Sequence, residues 1–279
     1  MSSTRAGARG RLVVCPTPIG NLEDVTLRVL ASLREAHVVA CEDTRRTRVL
    51  LDRYGVNASL ISYHEHNERE RTPQLLERMR EGTVVALVSD AGMPLVSDPG
   101  FLLVRACAVA GLGVEVLPGP SAPVAALVAS ALPAETWRFV GFLPRRARDL
   151  LAVLAGTETV VAFEAPGRVG ASLRALADAD PQREVAVCRE LTKVHEEVVR
   201  GTAGELAAQY EEQAPRGEVV LVVAGAAAGS AEAASHAAAV DALRRLVEAG
   251  ARPRPAARVV AELTGVRANV LYRALTEGQ

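Results

Sequence analysis

Short apolar runs alternate with segments of helical period along the chain from residue 11 onward. Five runs in the first half predict β-strands: 12–14 (LVV), 38–40 (VVA), 59–62 (SLIS), 84–89 (VVALVS) and 114–117 (VEVL). Between them apolar residues recur at helical spacing, for example over 27–36 and 74–82. Strands that alternate with helices predict βαβ units and a doubly wound, parallel sheet.

The alternation resumes after a proline-bounded stretch, 133–144. Further strands are predicted at 159–165 (TVVAFEA), 184–191 (EVAVCREL) and 217–225 (GEVVLVVAG). We therefore expect an α/β fold with a flexible tail over 1–10, an N-terminal α/β domain over 11–132 and a C-terminal α/β domain over 137–225. The first domain is expected to hold a parallel sheet and the second a mixed sheet, with ligand bound in the cleft between them.

The last part of the chain predicts helices. Residues 226–237 are rich in Ala, Ser and Gly, which predicts a linker or the extension of a helix. Over 238–279 a helix opens at Pro253 or Pro255, breaks at Thr264 and Gly265, and a second helix follows, as in a helix-turn-helix. The sequence between Asp241 and Gln279 contains seven arginines and four acidic residues. This basic pair suits nucleic acid, with Arg258 and Arg267 as contacts, and equally suits a helical cap on the second domain.

Composition narrows the function classes. The 279 residues carry a net charge of −1, so global basicity does not indicate a nucleic-acid partner and local clusters must supply it. No apolar stretch reaches the ~18 residues of a membrane helix, and the opening MSSTRAGARG has no apolar core, so we expect a cytoplasmic protein without membrane association. The four cysteines are far apart and fit reduced core thiols.

Three segments follow predicted strands of the first sheet: 16–22 (PTPIGNL), 89–100 (SDAGMPLVSDPG) and 118–122 (PGPSA). Asp90 leaves its strand at the edge where a carboxylate can accept hydrogen bonds from a ribose diol or an ammonium group. Asp98 and Pro99 predict a helix start, with Asp98 as N-cap, and Ser121 opens another helix. Each segment alone fits ordinary turn chemistry, but three at one sheet edge favour a ligand site.

These segments resemble a known family. VVCPTPIGNLEDVTLRVL, CEDTRRTRVLL, ISYHEHNE, VALVSDAGMPLVSDPG, LPGPSAPVAALVASALP, GFLPR and RELTKVHEEVVRGT are similar to the 16S ribosomal RNA (cytidine) 2′-O-methyltransferases, of the tetrapyrrole-methylase-like superfamily. The resemblance runs from about residue 11 to about 225. It implies S-adenosylmethionine as methyl donor, a cytidine of the decoding region in 16S rRNA or the small subunit as substrate, and a homodimer.

The resemblance also implies a cofactor site. Its residues are Pro18, Asp90, Ala91, Gly92, Leu95, Ser121 and Ala122 of the first domain, with Phe163, Glu164 and Leu191 of the second. One position departs from the family, because Gly167 follows the Glu-Ala-Pro turn where a histidine is usual.

Other polar clusters suit an RNA substrate. Phosphates can be neutralised by two arginine groups, Arg45, Arg46 and Arg48 in the first domain and Arg145, Arg146 and Arg148 in the second. Either group could instead be a solvated helix face. His64 and His66 predict a hydrogen-bonded loop near the RNA, and no metal is expected because methyl transfer from a sulfonium needs none.

Lys193 is the only lysine beside 31 arginines. Chance survival is one explanation; the other is that the position needs a compact ammonium or an amine that can lose its proton. Lys193 could orient the 2′-hydroxyl, stabilise an alkoxide or, with a depressed pKa, act as base. Glu190 and His195 are the other candidate catalytic residues.

Two rival functions stay open. One is a tetrapyrrole methyltransferase of the precorrin type, against which the arginine clusters and RELTKVHEE argue. The other is a ribosome-assembly factor that retains the fold without catalysis.

Overall fold

The computed structural model of the chain describes residues 10–226 and 228–277. It forms two compact units. The first takes the described part of 1–130 with 187–199 and 216–220, and the second takes 131–186, 200–215 and the described part of 221–279. The sequence predicts continuous domains, whereas each unit gathers separate segments, so the loop that carries Lys193 belongs to the first unit.

The first unit contains a five-stranded sheet. Its strands are β1 (Arg11–Val14), β2 (Val38–Cys41), β3 (Leu60–Ser62), β4 (Val84–Val88) and β5 (Gly113–Val116). Their order is β3-β2-β4-β1-β5, and every pair runs parallel, as predicted. The central strands β2 and β4 are buried at every residue, as expected of a parallel sheet covered on both faces.

Helices cover both faces of this sheet. They are α1 (Leu27–Glu35), α2 (Thr44–Arg53), α3 (Glu68–Arg80) and α4 (Phe101–Val109), and a further helix, α5 (Ala122–Ser130), follows β5. Val13 packs with Leu33 of α1 and Leu51 of α2, whereas its neighbour Leu12 packs on the other face with Leu75 of α3 and Leu103 of α4. The alternation along β1 therefore builds two cores, one on each face.

Two helix starts differ from their predictions. The prediction that Asp98 caps a helix is wrong, because α4 begins at Phe101 after Gly100, whose φ is 129°. A Cβ on Gly100 would lie 2.8 Å from Leu87 of β4, so the chain must pass the strand before it can turn into the helix. Helix α3 begins at Glu68 and not at 74, because its charged first turn gives no apolar period.

The second sheet is mixed. Its strands are β6 (Trp137–Phe142), β7 (Thr159–Glu164), β8 (Glu184–Arg189), β9 (Glu197–Thr202) and β10 (Val219–Val223), in the order β6-β7-β10-β8-β9. β6 and β7 are parallel. The amide of Glu190 donates to the carbonyl of Glu218 and that of Ala224 to the carbonyl of Glu184, so β8 and β10 run antiparallel. The edge strands β6 and β9 are not predicted from the sequence, because their mixed burial leaves no apolar run.

Three helices belong to the region of the second sheet: α6 (Ala147–Leu154), α7 (Val169–Ala179) and α8 (Ala203–Glu212). Helix α8 starts with a capping box in which Thr202 and Glu205 bond each other's backbone amides. A Cβ on Gly170 of α7 would lie 2.7 Å from the carbonyl oxygen of Tyr210 in α8. Glycine at this position therefore lets the two helices pack closely.

The chain ends in three helices, α9 (Ala228–Glu248), α10 (Pro253–Thr264) and α11 (Ala268–Glu277). The predicted helix pair is confirmed, with Gly265 in the left-handed conformation at the C-terminus of α10. The predicted linker at 226–237 is helical from residue 228, which is the helix-extension alternative. Leu243, Val260 and Leu271 share one small core. None of the helices in the described residues is long and apolar enough to span a bilayer.

Candidate functional site

Three loops of the first unit meet at the carboxyl edge of its sheet. Thr17, after β1, and Gly92, after β4, exchange two backbone hydrogen bonds of 2.8 and 2.9 Å. The Thr17 hydroxyl also donates to the carbonyl of Ser89 at 3.0 Å. A Cβ on Gly119, after β5, would lie 2.4 Å from Cγ of Pro16. The predicted grouping of these loops is confirmed, and ligands of open α/β sheets bind at such an edge.

The loop after β4 holds a strained backbone. Leu95 and Ser97 adopt φ values of 74° and 65°, which non-glycine residues rarely take. Gly92 has a φ of 81°, and a Cβ there would lie 3.3 Å from Ile19 and 3.7 Å from the carbonyl oxygen of Pro120. Strain of this kind persists where surrounding contacts enforce it, and it clusters at ligand sites.

The residues assigned to the cofactor in this unit lie on these loops. Pro18 and Gly92 are buried, Ala91 is exposed, and the others are half-buried: Asp90, Leu95, Ser121 and Ala122. The Asp90 carboxylate accepts from the backbone amide of Asp43 at 3.0 Å and faces Arg46 at 3.5 Å. It keeps acceptor capacity for a ligand, because a carboxylate has about four acceptor positions.

An acidic surplus, which the sequence pattern did not predict, surrounds Asp90. Burial and the charge of Asp90 raise the pKa of Glu42, with smaller opposing effects from Arg46 and His64. Burial, together with the charges of Glu42 and Asp90, raises the pKa of Asp98 to about 6, against the opposing effect of Ser89. Two consecutive acidic residues directly after β2, Glu42 and Asp43, are the sequence feature that could have indicated this cluster. This surplus of carboxylates favours a cationic ligand.

The first arginine group is tied to the same carboxylates. Arg45 donates from Nε and Nη2 to Asp43, at 3.1 and 2.7 Å, and these bonds lower the pKa of Asp43 to about 2. Arg46 faces Asp90, and Arg48 is exposed. Two of the three guanidinium groups therefore already have partners within the unit.

His64 and His66 follow β3 at the same edge. The amide of His64 donates to Oδ1 of Asn67 at 2.9 Å, while Nδ2 of Asn67 lies 3.2 Å from Nε2 of the His64 ring. The two imidazoles are 5.9 Å apart, edge to face, and Nδ1 of His64 is buried without a hydrogen-bond partner. His64 is therefore held by hydrogen bonds within its own loop, and a contact of either histidine with RNA stays a prediction. In the described part of the chain no cluster of His, Cys, Asp and Glu could hold a metal ion.

The loop after β8 contacts the loop after β1. The amide of Asn21 donates to the Thr192 hydroxyl at 3.0 Å. A Cβ on Gly20 would lie 2.5 Å from Cγ of Lys193 and 3.0 Å from the carbonyl oxygen of the buried Leu191. Glu190 and Thr192 adopt φ values of 50° and 67°, so this loop is strained as well.

Lys193 lies between two carboxylates, with Nζ 2.8 Å from Glu190 and 3.0 Å from Glu218. Burial alone would lower the pKa of Lys193, but these hydrogen bonds and charges together raise it. The hydrogen bond from Lys193 lowers the pKa of Glu190. The depressed lysine pKa that a base would need is therefore absent. His195 is exposed on the same loop.

Glu164 ends β7 as a fully buried carboxylate. It accepts from the amide of Ala165 at 2.8 Å and from the Ser172 hydroxyl at 2.5 Å, and it faces Arg168 at 3.1 Å. The ring of Phe163 packs edge to face on Phe139, with ring centroids 5.0 Å apart. A Cβ on Gly167 would meet no atom within 4 Å, so space for a larger side chain remains at this departure from the family.

The other predicted RNA contacts are exposed residues of the second unit. Arg145, Arg146 and Arg148 lie at and after the turn that leads into α6. Arg258 lies on α10, and Arg267 directly precedes α11.

A family model described as Tetrapyrrole (Corrin/Porphyrin) Methylases matches residues 11–207. Among solved structures, uroporphyrin-III-C-methyltransferase from Thermus thermophilus is 25% identical with a TM-score of 0.55, covering 77% of this chain and 94% of that one. A cobalt precorrin-4 methyltransferase has a TM-score of 0.57 at 19% identity, over 80% of this chain and 98% of that one, and shows the fold alone.

Three relatives with higher sequence identity are each called ribosomal RNA small subunit methyltransferase I. The protein from Mesorhizobium japonicum is 45% identical over 95% of this chain and 91% of its own length. That from Micromonospora olivasterospora is 46% identical over 94% and 85%, and that from Thermotoga maritima is 43% identical over 77% and 99%. The chain therefore belongs to the tetrapyrrole methylase family and, within it, to the ribosomal RNA small subunit methyltransferases I.

Proposed function

We propose that this protein transfers the methyl group of S-adenosylmethionine to the ribose 2′-hydroxyl of a cytidine in the decoding region of 16S rRNA. The observation that carries the proposal is 45% identity over 95% of the chain to a ribosomal RNA small subunit methyltransferase. The substrate is 16S rRNA, free or within the small subunit.

The first unit offers a fitting site for the donor. S-adenosylmethionine carries a sulfonium and an ammonium group, and the carboxylates of Glu42, Asp90 and Asp98 supply the complementary charge. Gly92 allows close approach of the backbone, and the strained loop around Leu95 fixes the geometry. We assign to the donor site Pro18, Asp90, Ala91, Gly92, Leu95, Ser121, Ala122, Phe163, Glu164 and Leu191.

Positioning supplies most of the catalysis. S-adenosylmethionine, held by the residues assigned to the donor site, would supply an electrophilic methyl group and leave as S-adenosylhomocysteine, while the attacking 2′-hydroxyl would lose its proton to water. The chain must hold the oxygen in line with the methyl group. Lys193 stays an ammonium and stabilises the negative charge that develops on the oxygen. Glu190 holds this ammonium, and His195 lies on the same loop as a further candidate.

The arginine groups are assigned to RNA phosphates, together with His64, His66, Arg258 and Arg267. Replacing Arg145, Arg146 and Arg148 by Ala should weaken subunit binding and reduce its salt slope by about 2 to 3, since each phosphate contact contributes about 0.7–0.9. Donor affinity should not change. The triple change at Arg45, Arg46 and Arg48 is the comparison, and its effect should be smaller because two of those guanidinium groups are paired with carboxylates. Equal salt slopes for the wild type and both triple variants would exclude Arg145, Arg146 and Arg148 from the RNA interface.

We assign a cytoplasmic homodimer. Exposed valines support the dimer: Val124 and Val128 are exposed on α5, and Val116 is exposed on the edge strand β5. Light scattering of Val128→Glu tests it: a monomer is expected, and an unchanged mass would exclude this surface.

Calorimetry and methylation together test the function. Binding of S-adenosylmethionine is measured first, and purified small subunits are then incubated with labelled donor and the modified nucleotide is mapped. A 2′-O-methylated cytidine is the expected product. Donor binding without transfer would indicate an assembly factor, and methylation of a tetrapyrrole instead of RNA would indicate the precorrin type.

A further inference from the structure

Glu218 is a carboxylate outside the residues assigned above to the donor, the RNA and catalysis. It directly precedes β10 and its side chain is 70% exposed, yet Oε2 accepts from Lys193 at 3.0 Å. Its backbone amide donates to Oε1 of Glu190 at 2.9 Å, the same atom that accepts from Lys193 at 2.8 Å. Glu190, Lys193 and Glu218 therefore form one closed network, drawn from two separate segments of the chain.

The backbone is shaped around this network. Glu190 has a φ of 50°, and Gly217 has a φ of 84°. A Cβ on Gly217 would lie 2.3 Å from the carboxylate of Glu190, so only glycine leaves room for that side chain. The amide of Glu190 donates to the carbonyl of Glu218 at 3.0 Å, and that of Lys193 to the carbonyl of Glu190 at 2.9 Å. A left-handed conformation at a glutamate costs energy, which these contacts offset.

The stem of Lys193 is held from another side by the loop after β1. A Cβ on Gly20 would lie 2.5 Å from Cγ of Lys193. The same loop contains Pro18, which is assigned to the donor site. The ammonium is thus fixed at its stem by the donor loop and at its head by two carboxylates.

An ammonium group has three N–H donors. Glu190 and Glu218 take two, and among the described residues no third acceptor bonds to Nζ. The two carboxylates together raise the pKa of Lys193 in spite of its partial burial. A charged donor with one open N–H is what an oxygen that gains negative charge would need.

We propose that Glu218 is a positioning residue for methyl transfer: with Glu190 it fixes Lys193 as an ammonium whose remaining N–H binds the reacting ribose oxygen. This inference rests on the proposed function. A surface ion pair without such a role would contribute to folding alone. The two explanations differ in whether loss of Glu218 changes the pH dependence of methyl transfer.

The single lysine allows a direct test. Protein labelled with ¹³C-lysine gives one lysine side-chain signal, and its Cε shift is followed with pH by NMR. We expect Glu218→Gln to lower the titration midpoint of Lys193, because one of two neighbouring carboxylates is lost. Glu115→Gln is the matched control, since Glu115 also faces two cations, Arg11 and Arg28, but does not contact Lys193. Equal midpoints in Glu218→Gln and wild type would overturn the proposal.

Single-turnover transfer to purified small subunits, at saturating donor and subunit, supplies the second readout. We expect Glu218→Gln to lose about tenfold or more in rate, to keep its donor affinity, and to lose activity at lower pH than wild type as Lys193 deprotonates. Glu218→Asp keeps the charge and should recover part of the rate; it also replaces the Gln variant if circular dichroism shows that variant unfolded. A wild-type rate and pH profile in Glu218→Gln would contradict the inference. Should the wild type itself transfer no methyl group, the proposed function fails, whereas the NMR midpoint still decides whether Glu218 fixes Lys193.

Discussion

Two strand ends of this protein pair a carboxylate with a cation, and they are built in opposite ways. At the end of β7, Glu164 is completely buried, and Ala165, Ser172 and Arg168 surround it on a backbone with ordinary dihedral angles. After β8, Lys193 is 29% exposed, its loop contains two left-handed non-glycine residues, and one ammonium donor is open. A buried network with three partners around one carboxylate stabilises the fold, whereas a strained network with an open donor is suited to a ligand.

The largest effect is expected at the buried end. Glu164→Ala should lower the free energy of unfolding by about 3 to 5 kcal/mol, because it leaves the Ser172 hydroxyl and the Ala165 amide without their acceptor and removes the carboxylate that faces Arg168. Chemical denaturation measures this. Glu211→Ala, which removes the surface partner of Arg174, is the control and should cost less than about 1 kcal/mol. Because Glu164 is also assigned to the donor site, weaker donor binding is compatible with this prediction. A loss of stability no larger than that of Glu211→Ala would contradict it.

The exposed end should show the reverse pattern. Lys193→Arg should retain stability and donor binding but lose about 100-fold in single-turnover transfer, as when one oriented donor is lost. A planar guanidinium spreads its charge and fits neither the two carboxylates nor the contact with Gly20 in the same way. Arg174→Lys on the surface should leave the rate unchanged. Wild-type turnover in Lys193→Arg would remove the catalytic role of Lys193.

Asp90 tests the donor half of the site. Asp90→Ala should weaken S-adenosylmethionine binding by one to two decades, since a charge-assisted hydrogen bond contributes roughly 1.5–3 kcal/mol. Calorimetry measures the affinity, and circular dichroism confirms folding. An unchanged affinity in the folded variant would exclude Asp90 from the donor site.

The smallest effect concerns pH. The folded pKa of Asp98 is about 6, above its usual value, so folding favours the protonated carboxyl. Stability from this group is full below about pH 4 and is lost as pH rises to about 6, by roughly 1–3 kcal/mol. Asp98→Asn should therefore be more stable than wild type at pH 7, and its free energy of unfolding should change less between pH 4 and pH 6. Urea denaturation measures the free energy of unfolding at each pH. If this free energy changes between pH 4 and pH 6 as steeply in Asp98→Asn as in wild type, another group is responsible for the titration.

Local pattern sufficed for much of the fold. The five strands of the first sheet are apolar runs, and their alternation with helices predicted that they run parallel. The half-buried edges β6 and β9 were missed because an edge strand needs no continuous apolar run. The start of α4 was misplaced because the capping signal at Asp98 is local, while the contact of Gly100 with Leu87 is not.

By itself, the sequence determined the strands of the first sheet, the family and the loops that carry the candidate site, because these follow from apolar period and from motifs of contiguous residues. Only the tertiary structure showed that Glu42 and Asp98 join Asp90, and that Glu218 reaches Lys193 across 25 positions. Likewise, the raised pKa of Lys193 follows from two carboxylates brought to one atom by different strands. Ionisation depends on distances between side chains, and the fold sets those distances through contacts that no local pattern records.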